Sequence, residues 1–225
     1  MKAKVVTLQD WLGAARAQTP EEEIANSISH GVGFLLAAAA LPVLLSTCAE
    51  QGGQTLDLWA VGVFAGTMML LYLVSAVYHA LPVGHIKAIF NRLDHAAIYL
   101  FIAGSYTPFA LGALRDGMGW ALCGVVWLLA TMGATAKLLN RLSHPLLSTG
   151  LYIAMGWLAV FAASPLLERL APPGLTWLVA GGVLYTLGAI VFLFDSRVRY
   201  AHFVWHLLAM GGSTCHFFAA LWYAR

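Results

Sequence analysis

Long apolar runs separated by short polar breaks dominate the pattern of hydrophobic and polar positions along this chain. A helix needs about 20 apolar residues to cross the hydrocarbon core of a bilayer, and seven runs approach or reach that length. We read them as transmembrane helices, because backbone polar groups in lipid must find their partners within the same helix. The predicted spans are Ile28–Thr47, Leu58–His79, Leu93–Leu114, Met118–Leu138, Leu146–Pro165, Gly174–Phe194 and His202–Tyr223.

Composition supports the same conclusion. Hydrophobic residues make up 60% of the 225 residues and charged residues 10%, whereas soluble domains carry about 25% charged residues. The sequence therefore predicts an all-α membrane protein, with residues 1–225 as one seven-helix domain and residues 1–25 as a cytoplasmic N-terminal segment. The net charge of +2 is too small to indicate a nucleic-acid partner.

The distribution of the 12 Lys and Arg residues predicts the orientation of the spans. Positive charges concentrate on the cytoplasmic side of membrane proteins, so the N-terminus is expected inside and the C-terminus outside, opposite to G-protein-coupled receptors. An amphipathic segment over Leu8–Ala17 and a frayed polar tail both remain open for the region before the first span. The side with more charges holds Lys2, Lys4, Arg16, Lys87, Arg92, Lys137, Arg141, Arg197 and Arg199. The other side holds Arg115, Arg169 and Arg225.

Polar residues that are costly in lipid converge at the cytoplasmic ends of several spans. Ser75 and His79 lie four residues apart at the end of the second span, hence on one helix face. Asp94 lies at the start of the third span. His202 and His206 lie one turn apart at the start of the seventh. The topology therefore predicts that these five side chains share one depth.

The start of the first span adds three polar residues at that depth. Glu23, Asn26 and His30 are candidates to face the interior, whereas Glu21 and Glu22 are interpreted as a solvated run.

Three histidines and a carboxylate at one depth favour a metal site. A lone transmembrane His is more often a hydrogen-bonded packing residue, and one HxxxH pattern is weak evidence. His79, His202 and His206 together match the three-ligand pattern of a catalytic zinc with an open position. His216 lies roughly 21 Å deeper than His202 and is interpreted as an interior hydrogen-bonding residue. Asp195 is interpreted as an interfacial charge.

At these residues the sequence resembles the hemolysin III family, within the progestin and adiponectin receptor superfamily. The resemblance runs from Glu23 to Trp222, and its motifs are Glu23 to Asn26 with His30, Ser75 to His79, Asp94, and His202 to His206 with His216. It implies that His79, His202 and His206 bind Zn²⁺, that Asp94 approaches the zinc through water, and that Ser75 belongs to the site. The short N-terminus and loops resemble the minimal bacterial form, so we expect the bacterial inner membrane and no hormone-receptor role.

The leading hypothesis is a zinc-dependent hydrolase of a lipid amide or ester, ceramidase-like and active in membrane-lipid homeostasis. Asp94 would take a proton from water, and Ser75 would stabilise the developing oxyanion. Glu23, Asn26 and His30 would support the ligating imidazoles or gate the site.

Two other classes of function remain open. The zinc could instead stabilise a non-enzymatic membrane sensor, a regulator or a haemolysin-like pore-forming protein that causes cytolysis. A proton or small-ion transporter is disfavoured because paired carboxylates deep in the spans are lacking. A membrane lipid is the expected substrate or ligand, and neither its identity nor an oligomeric state follows from the sequence.

Overall fold

Helices make up most of the protein in the computed structural model, which describes residues 16–115 and 117–224. No strand occurs within those two ranges, so the prediction of an all-α protein is confirmed there. Most of the proposed amphipathic segment over Leu8–Ala17 lies outside the described residues. The charges of Lys2, Lys4 and Arg225, used to predict orientation, also lie outside them.

The chain folds into eight α-helices over the described residues, and a 3₁₀ helix at Leu158–Ala162 lies between the fifth and sixth. The helices are α1 (Pro20–Glu50), α2 (Thr55–Ala80), α3 (His85–Leu111), α4 (Gly117–Leu138), α5 (Pro145–Gly156), α6 (Ala163–Arg169), α7 (Pro172–Phe192) and α8 (Ala201–Tyr223).

Five helical segments are long and apolar enough to cross a membrane: α1, α2, α4, α7 and the stretch Pro145–Arg169 that contains α5 and α6. The other two long helices, α3 and α8, correspond to the predicted third and seventh spans and carry Asp94 and the three histidines His202, His206 and His216. The protein is thus a multi-pass membrane protein.

The first helix begins well before the predicted start at Ile28. Thr19 caps it: its Oγ1 accepts from the backbone N–H of Glu22 at 3.4 Å, and the Glu22 carboxylate accepts from the N–H of Thr19 at 2.9 Å. Three acidic residues in the first turn also suit the positive end of the helix dipole. The helix therefore includes Glu23 and Asn26.

The fifth predicted span is broken rather than continuous. Pro165 has no N–H for the carbonyl of Phe161, and its ring would clash with that carbonyl in a regular helix. The chain instead turns through the 3₁₀ segment that contains Phe161. The hydroxyl of Tyr106 on α3 satisfies the freed backbone, since it lies 2.7 Å from the Gly156 carbonyl and accepts from the Ala159 N–H at 3.0 Å. Such compensation is what allows irregular backbone at membrane depth.

Helices α7 and α8 approach closely because small residues face bulky polar ones. A Cβ atom on Gly181 would lie 2.3 Å from Cδ2 of His216, and one on Gly212 would lie 2.7 Å from Cε1 of Tyr185. The two glycines therefore make room for the two rings.

The outer surface of the helices is strongly apolar. Large side chains such as Trp59, Leu35 and Leu128 are 69%, 66% and 60% exposed, which would be unusual over so much of a soluble monomer. The buried polar residues include Asn26, Ser75, His79, Asp94, His202 and His206. The polarity is thus reversed relative to a soluble domain, as lipid surroundings require.

Candidate metal centre

Three buried histidines meet where the C-terminal end of α2 approaches the N-terminal end of α8. One ligand atom from each of His79, His202 and His206 can be chosen so that all three atoms lie within 4.8 Å of one another. The ring centroids are 4.7 to 5.1 Å apart. These side chains are therefore close enough to bind one metal ion, and no other such group is found among the described residues.

The orientation of His79 is set by a carboxylate on the first helix. Its Nδ1 lies 2.7 Å from Oε2 of Glu23, and the other oxygen of Glu23 lies 3.1 Å from Nζ of Lys87. This leaves Nε2 of His79 buried, with no hydrogen-bond partner among the described residues.

His202 and His206 are held in the same way by two further side chains. Nδ1 of His202 lies 3.0 Å from Oδ2 of Asp195, and Nδ1 of His206 lies 2.9 Å from Oγ of Ser29. All three rings thus engage Nδ1, and His79 and His202 have a buried Nε2 without a partner among the described residues.

This arrangement fits a metal ion. A buried polar atom without a partner costs about 1–3 kcal/mol, and two such nitrogens side by side need a compensating interaction. Ligating imidazoles usually donate the N–H of their second ring nitrogen to a carboxylate or another acceptor, and Glu23, Asp195 and Ser29 are such acceptors here. The donor set of three imidazoles suits Zn²⁺ and several other transition metals.

A buried carboxylate joins the start of α1 to the start of α8. Glu22 accepts from the two terminal guanidinium nitrogens of Arg16 at 2.5 and 2.6 Å and from the backbone N–H of Tyr200 at 2.7 Å. Tyr200 adopts a left-handed conformation with φ of 60° directly before α8. The prediction that Glu22 is solvated is therefore wrong. Its side chain is buried and binds the backbone of the loop that precedes His202.

Arg16 strengthens this contact from the segment before α1. Its backbone N–H donates to the carbonyl of Ser196 at 3.1 Å, and its guanidinium donates to the carbonyl of Val198 at 3.2 Å. The hydrogen bond with the Glu22 carboxylate raises the pKa of the Arg16 guanidinium above its ordinary value. The segment before α1 is thus tied to the loop that contains Asp195.

Ser75 and Asp94 lie with His206 around one end of an elongated cavity of about 110 Å³. Both are buried, Ser75 completely. The rest of the lining is mainly apolar and comes mostly from α3, α5, α7 and α8. It includes Phe101, Ile102, Tyr152, Ile153, Ala189, Phe192, Trp205 and Ala209. A polar end beside the three histidines thus opens into an apolar interior.

A second cavity of about 260 Å³ continues from the far end of the first. The two share six lining residues: Ser105, Tyr106, Gly156, Trp157, Gly182 and His216. His216 places Nε2 3.3 Å from the carbonyl of Leu178. It lies at this junction, away from the three histidines.

Asn26 and His30 lie near the centre but do not hydrogen bond to its imidazoles through their side chains. Asn26 Nδ2 donates to Oε1 of Gln18 at 2.5 Å. His30 stacks on His206, with ring centroids 3.4 Å apart and 7° between the ring planes. Ser29, the neighbour of His30, makes the hydrogen bond instead.

Sequence analysis did not identify Asp195 and Ser29 as partners of the histidines. Asp195 lies seven residues before His202 in a loop, so helical spacing cannot connect them. The sequence did offer one indication, because ligating histidines often have a carboxylate partner and Asp195 is a carboxylate near the start of the last span. Ser29 offered no comparable signal, because serine is common in helices that pack closely.

Comparison with known proteins shows the family of this chain. The profile of the family described as "Haemolysin-III related" matches residues 18–217. Hemolysin-3 of Bacillus cereus is 42% identical over 206 residues, which cover 92% of this chain and 93% of that protein. The Hemolysin-3 homolog of Bacillus subtilis (strain 168) is 40% identical over 205 residues, or 91% and 95% of the two chains.

A more distant relative is a human protein. Monocyte to macrophage differentiation factor of Homo sapiens is 28% identical over 208 residues, covering 88% of this chain and 82% of that protein. The family match spans all four motifs on which the resemblance was based, from Glu23 to His216. The chain therefore belongs to the haemolysin-III-related family.

Proposed function

We propose that this protein is a zinc-dependent hydrolase that cleaves an amide or ester bond of a membrane lipid. The observation that carries the proposal is the position of His79, His202 and His206 beside a cavity whose polar end contains Asp94 and Ser75. A closed structural site would not need a carboxylate and a hydroxyl facing a cavity next to the ligands.

The three histidines would hold the zinc through Nε2, with Glu23, Asp195 and Ser29 keeping the rings in place. Zinc bound there would supply a Lewis acid and activate water for attack on a carbonyl. Asp94 would accept the proton of that water and pass it to the leaving group. Ser75 would donate a hydrogen bond to the carbonyl oxygen as negative charge develops on it.

The apolar cavity would bind the acyl chain of the substrate. It begins at the polar end and continues past Tyr106 and His216 into the second cavity. Burying a methylene group contributes about 0.8 kcal/mol, so a long chain would supply affinity and keep bulk water away from the reacting carbonyl. A membrane lipid is therefore the proposed substrate, with a role in membrane-lipid homeostasis.

The proposed topology has seven spans in one domain in the bacterial inner membrane, with a cytoplasmic N-terminus and an external C-terminus. Helices α3 and α8 are 27 and 23 residues long, which suffices to cross a hydrocarbon core of about 30 Å at 1.5 Å per residue. Their polar residues would face the centre of the bundle instead of lipid.

The test is the turnover of purified, zinc-loaded protein on ceramides, other N-acyl lipids and phospholipids, with Asp94→Asn as the decisive variant. Asn keeps the size of the side chain but cannot accept the proton. We expect unchanged zinc content and a rate lowered about 10²- to 10⁴-fold, as is typical for loss of a general base. Ser105→Ala is the matched control, because Ser105 lies on the same helix and lines the same cavity while its hydroxyl donates to the Ile102 carbonyl.

Two results would count against the hydrolase. Absence of metal-dependent hydrolysis by the wild-type protein across these lipids would favour a zinc-stabilised sensor, regulator or pore-forming protein. Unchanged turnover in Asp94→Asn would remove Asp94 from the mechanism.

A further inference from the structure

The loop between α7 and α8 carries the partner of one proposed ligand. Oδ2 of Asp195 in this loop lies 3.0 Å from Nδ1 of His202. The other two proposed ligands are supported from a helix instead, since Glu23 and Ser29 both lie on α1. The position of Asp195 therefore depends on the contacts that hold the loop in place.

Three hydrogen bonds from the residues at and before the first turn of α1 hold this loop. The backbone N–H of Arg16 donates to the carbonyl of Ser196 at 3.1 Å, and its guanidinium donates to the carbonyl of Val198 at 3.2 Å. The Glu22 carboxylate accepts from the backbone N–H of Tyr200 at 2.7 Å. The three contacts thus fix the loop backbone at every second position from Ser196 to Tyr200.

The pair between Arg16 and Glu22 joins these contacts into one unit. Both terminal guanidinium nitrogens donate to the carboxylate, which also accepts from the backbone N–H of Thr19 at 2.9 Å. Exposed ion pairs contribute little to stability, but the Glu22 side chain is only 3% exposed and a two-pronged Arg–carboxylate pair is among the stronger hydrogen-bonded contacts. Loss of the Arg16 side chain would leave a buried carboxylate with fewer donors and would release the loop at Val198.

Arg16 has no direct contact with the proposed ligands. Within the described part of the chain, its side chain donates to the Glu22 carboxylate and to the carbonyls of Ala17 and Val198. The pKa of its guanidinium is raised chiefly by the hydrogen bond to Glu22 and to a lesser degree by the negative charge of Asp195. The route from Arg16 to the metal centre thus passes through the loop and Asp195.

We propose that Arg16 is a positioning residue for the metal centre, which through its pair with Glu22 holds the loop so that Asp195 stays on His202. This inference rests on the zinc binding of the proposed function. It assigns control of zinc affinity to a residue that lies before the first helix and touches no imidazole.

The experiment is a double-mutant cycle on zinc affinity, measured by competition with a chelator on the purified full-length protein. Its variants are Arg16→Gln, Asp195→Ala and the combination of both. Gln removes the charge and the two-pronged donor, so we expect Arg16→Gln to weaken zinc binding about tenfold, at the lower end of the effect of losing an outer partner of a ligand. The double variant should bind zinc as Asp195→Ala alone does, because a loop without its carboxylate has nothing left to position.

Further variants separate positioning from a general effect on the fold. Arg16→Lys keeps the charge but not the planar fork, so it should lose less affinity than Arg16→Gln. Ser29→Ala affects a different imidazole, so its loss should add to that of Arg16→Gln. Arg115→Gln is the matched control and should leave zinc affinity unchanged, since Arg115 also pairs with a carboxylate, that of Asp57, at the end of α2 opposite to His79.

A metal-free measurement checks that the loop is the part that moves. Hydrogen exchange of residues 193–200 in the zinc-free protein should be faster in Arg16→Gln than in the wild-type protein, because the loop loses contacts that protect it. Arg115→Gln should exchange there at the wild-type rate. Unchanged exchange in Arg16→Gln would contradict the proposed route through the loop.

Three results of the affinity measurements would overturn the inference: unchanged zinc affinity in Arg16→Gln, equal losses in Arg16→Gln and Arg115→Gln, or a loss in Arg16→Gln that adds fully to that of Asp195→Ala. The last would show that Arg16 acts on the fold in general. Because the readout is zinc affinity, failure of the hydrolase proposal is distinguishable. The expected losses without turnover on any lipid would remove only the hydrolase, whereas turnover with zinc affinity indifferent to Arg16→Gln would remove only this inference. Wild-type protein that binds no zinc would remove both.

Discussion

Oδ2 of Asp195 lies 3.0 Å from Nδ1 of His202, although Asp195 lies seven positions earlier in the chain, in the loop before α8. The contact engages Nδ1, so Nε2 is the nitrogen left to bind a metal shared with His79 and His206. A carboxylate at this position also raises the basicity of a ligating imidazole. Asp195 thus links the loop before the last helix to the affinity of the proposed metal site.

Asp195→Ala is therefore expected to weaken zinc binding by about 10- to 100-fold, the usual effect of removing such a partner. Zinc affinity can be measured by competition with a chelator on purified protein. Asp57→Ala is the matched control, since Asp57 is also a carboxylate that pairs with one side chain, but its partner is Arg115 and it is not among the residues that contact the three histidines. A loss of zinc affinity in Asp57→Ala but not in Asp195→Ala would argue against the role assigned to Asp195.

Removal of any one proposed ligand should cause a larger loss. We expect about one zinc per chain in the wild-type protein and far less in His79→Ala, His202→Ala or His206→Ala, because two imidazoles hold the ion much less tightly than three. Elemental analysis under limiting zinc measures this directly. His216→Ala should keep its zinc, since His216 contacts the Leu178 carbonyl at the junction of the two cavities. Full occupancy in the single ligand variants would exclude this centre.

Gly181→Ala should destabilise the protein, because its Cβ would lie 2.3 Å from Cδ2 of His216. Overpacking of this kind costs about 1–3 kcal/mol, which would lower the midpoint of thermal unfolding in detergent. Gly66→Ala is the control, since no atom lies within 4 Å of its added Cβ. There the change should be neutral or stabilising by up to about 1 kcal/mol.

The double variant Gly181→Ala with His216→Ala identifies the cause of that loss. Removal of the ring relieves the clash, so we expect the double variant to be less destabilised than the sum of the two single variants. Additive losses would show that the close approach of α7 and α8 does not depend on this pair.

The proposed orientation makes a prediction for reporter fusions. A reporter inserted in the loop near Lys87 should be active in the cytoplasm, and one fused after Arg225 should be active outside. The reason is the excess of Lys and Arg on the side that contains Lys87. The opposite pattern of activity would reject the orientation and the cytoplasmic depth of the metal site.

The sequence by itself determined the helical class, the membrane environment and the family, because each depends on local or pairwise spacing. Apolar runs of about 20 residues have few alternatives to a membrane helix. The four-residue spacing of His202 and His206 places both on one face whatever the helix packs against. Their proximity to His79 followed from depth, since antiparallel neighbours bring the end of one span level with the start of another.

Only the tertiary structure decided which partner each imidazole has and where the irregular backbone lies. Asp195 and Ser29 reach His202 and His206 through the fold of a loop and the packing of α1 against α8, and neither distance is encoded in a helical period. Glu22 is buried because Arg16 and the Tyr200 N–H surround it, whereas its sequence context of three acidic residues indicates solvent. The break in the fifth span likewise depends on a hydroxyl from another helix, that of Tyr106. These contacts join residues distant in sequence, so their geometry exists only once the helices have packed.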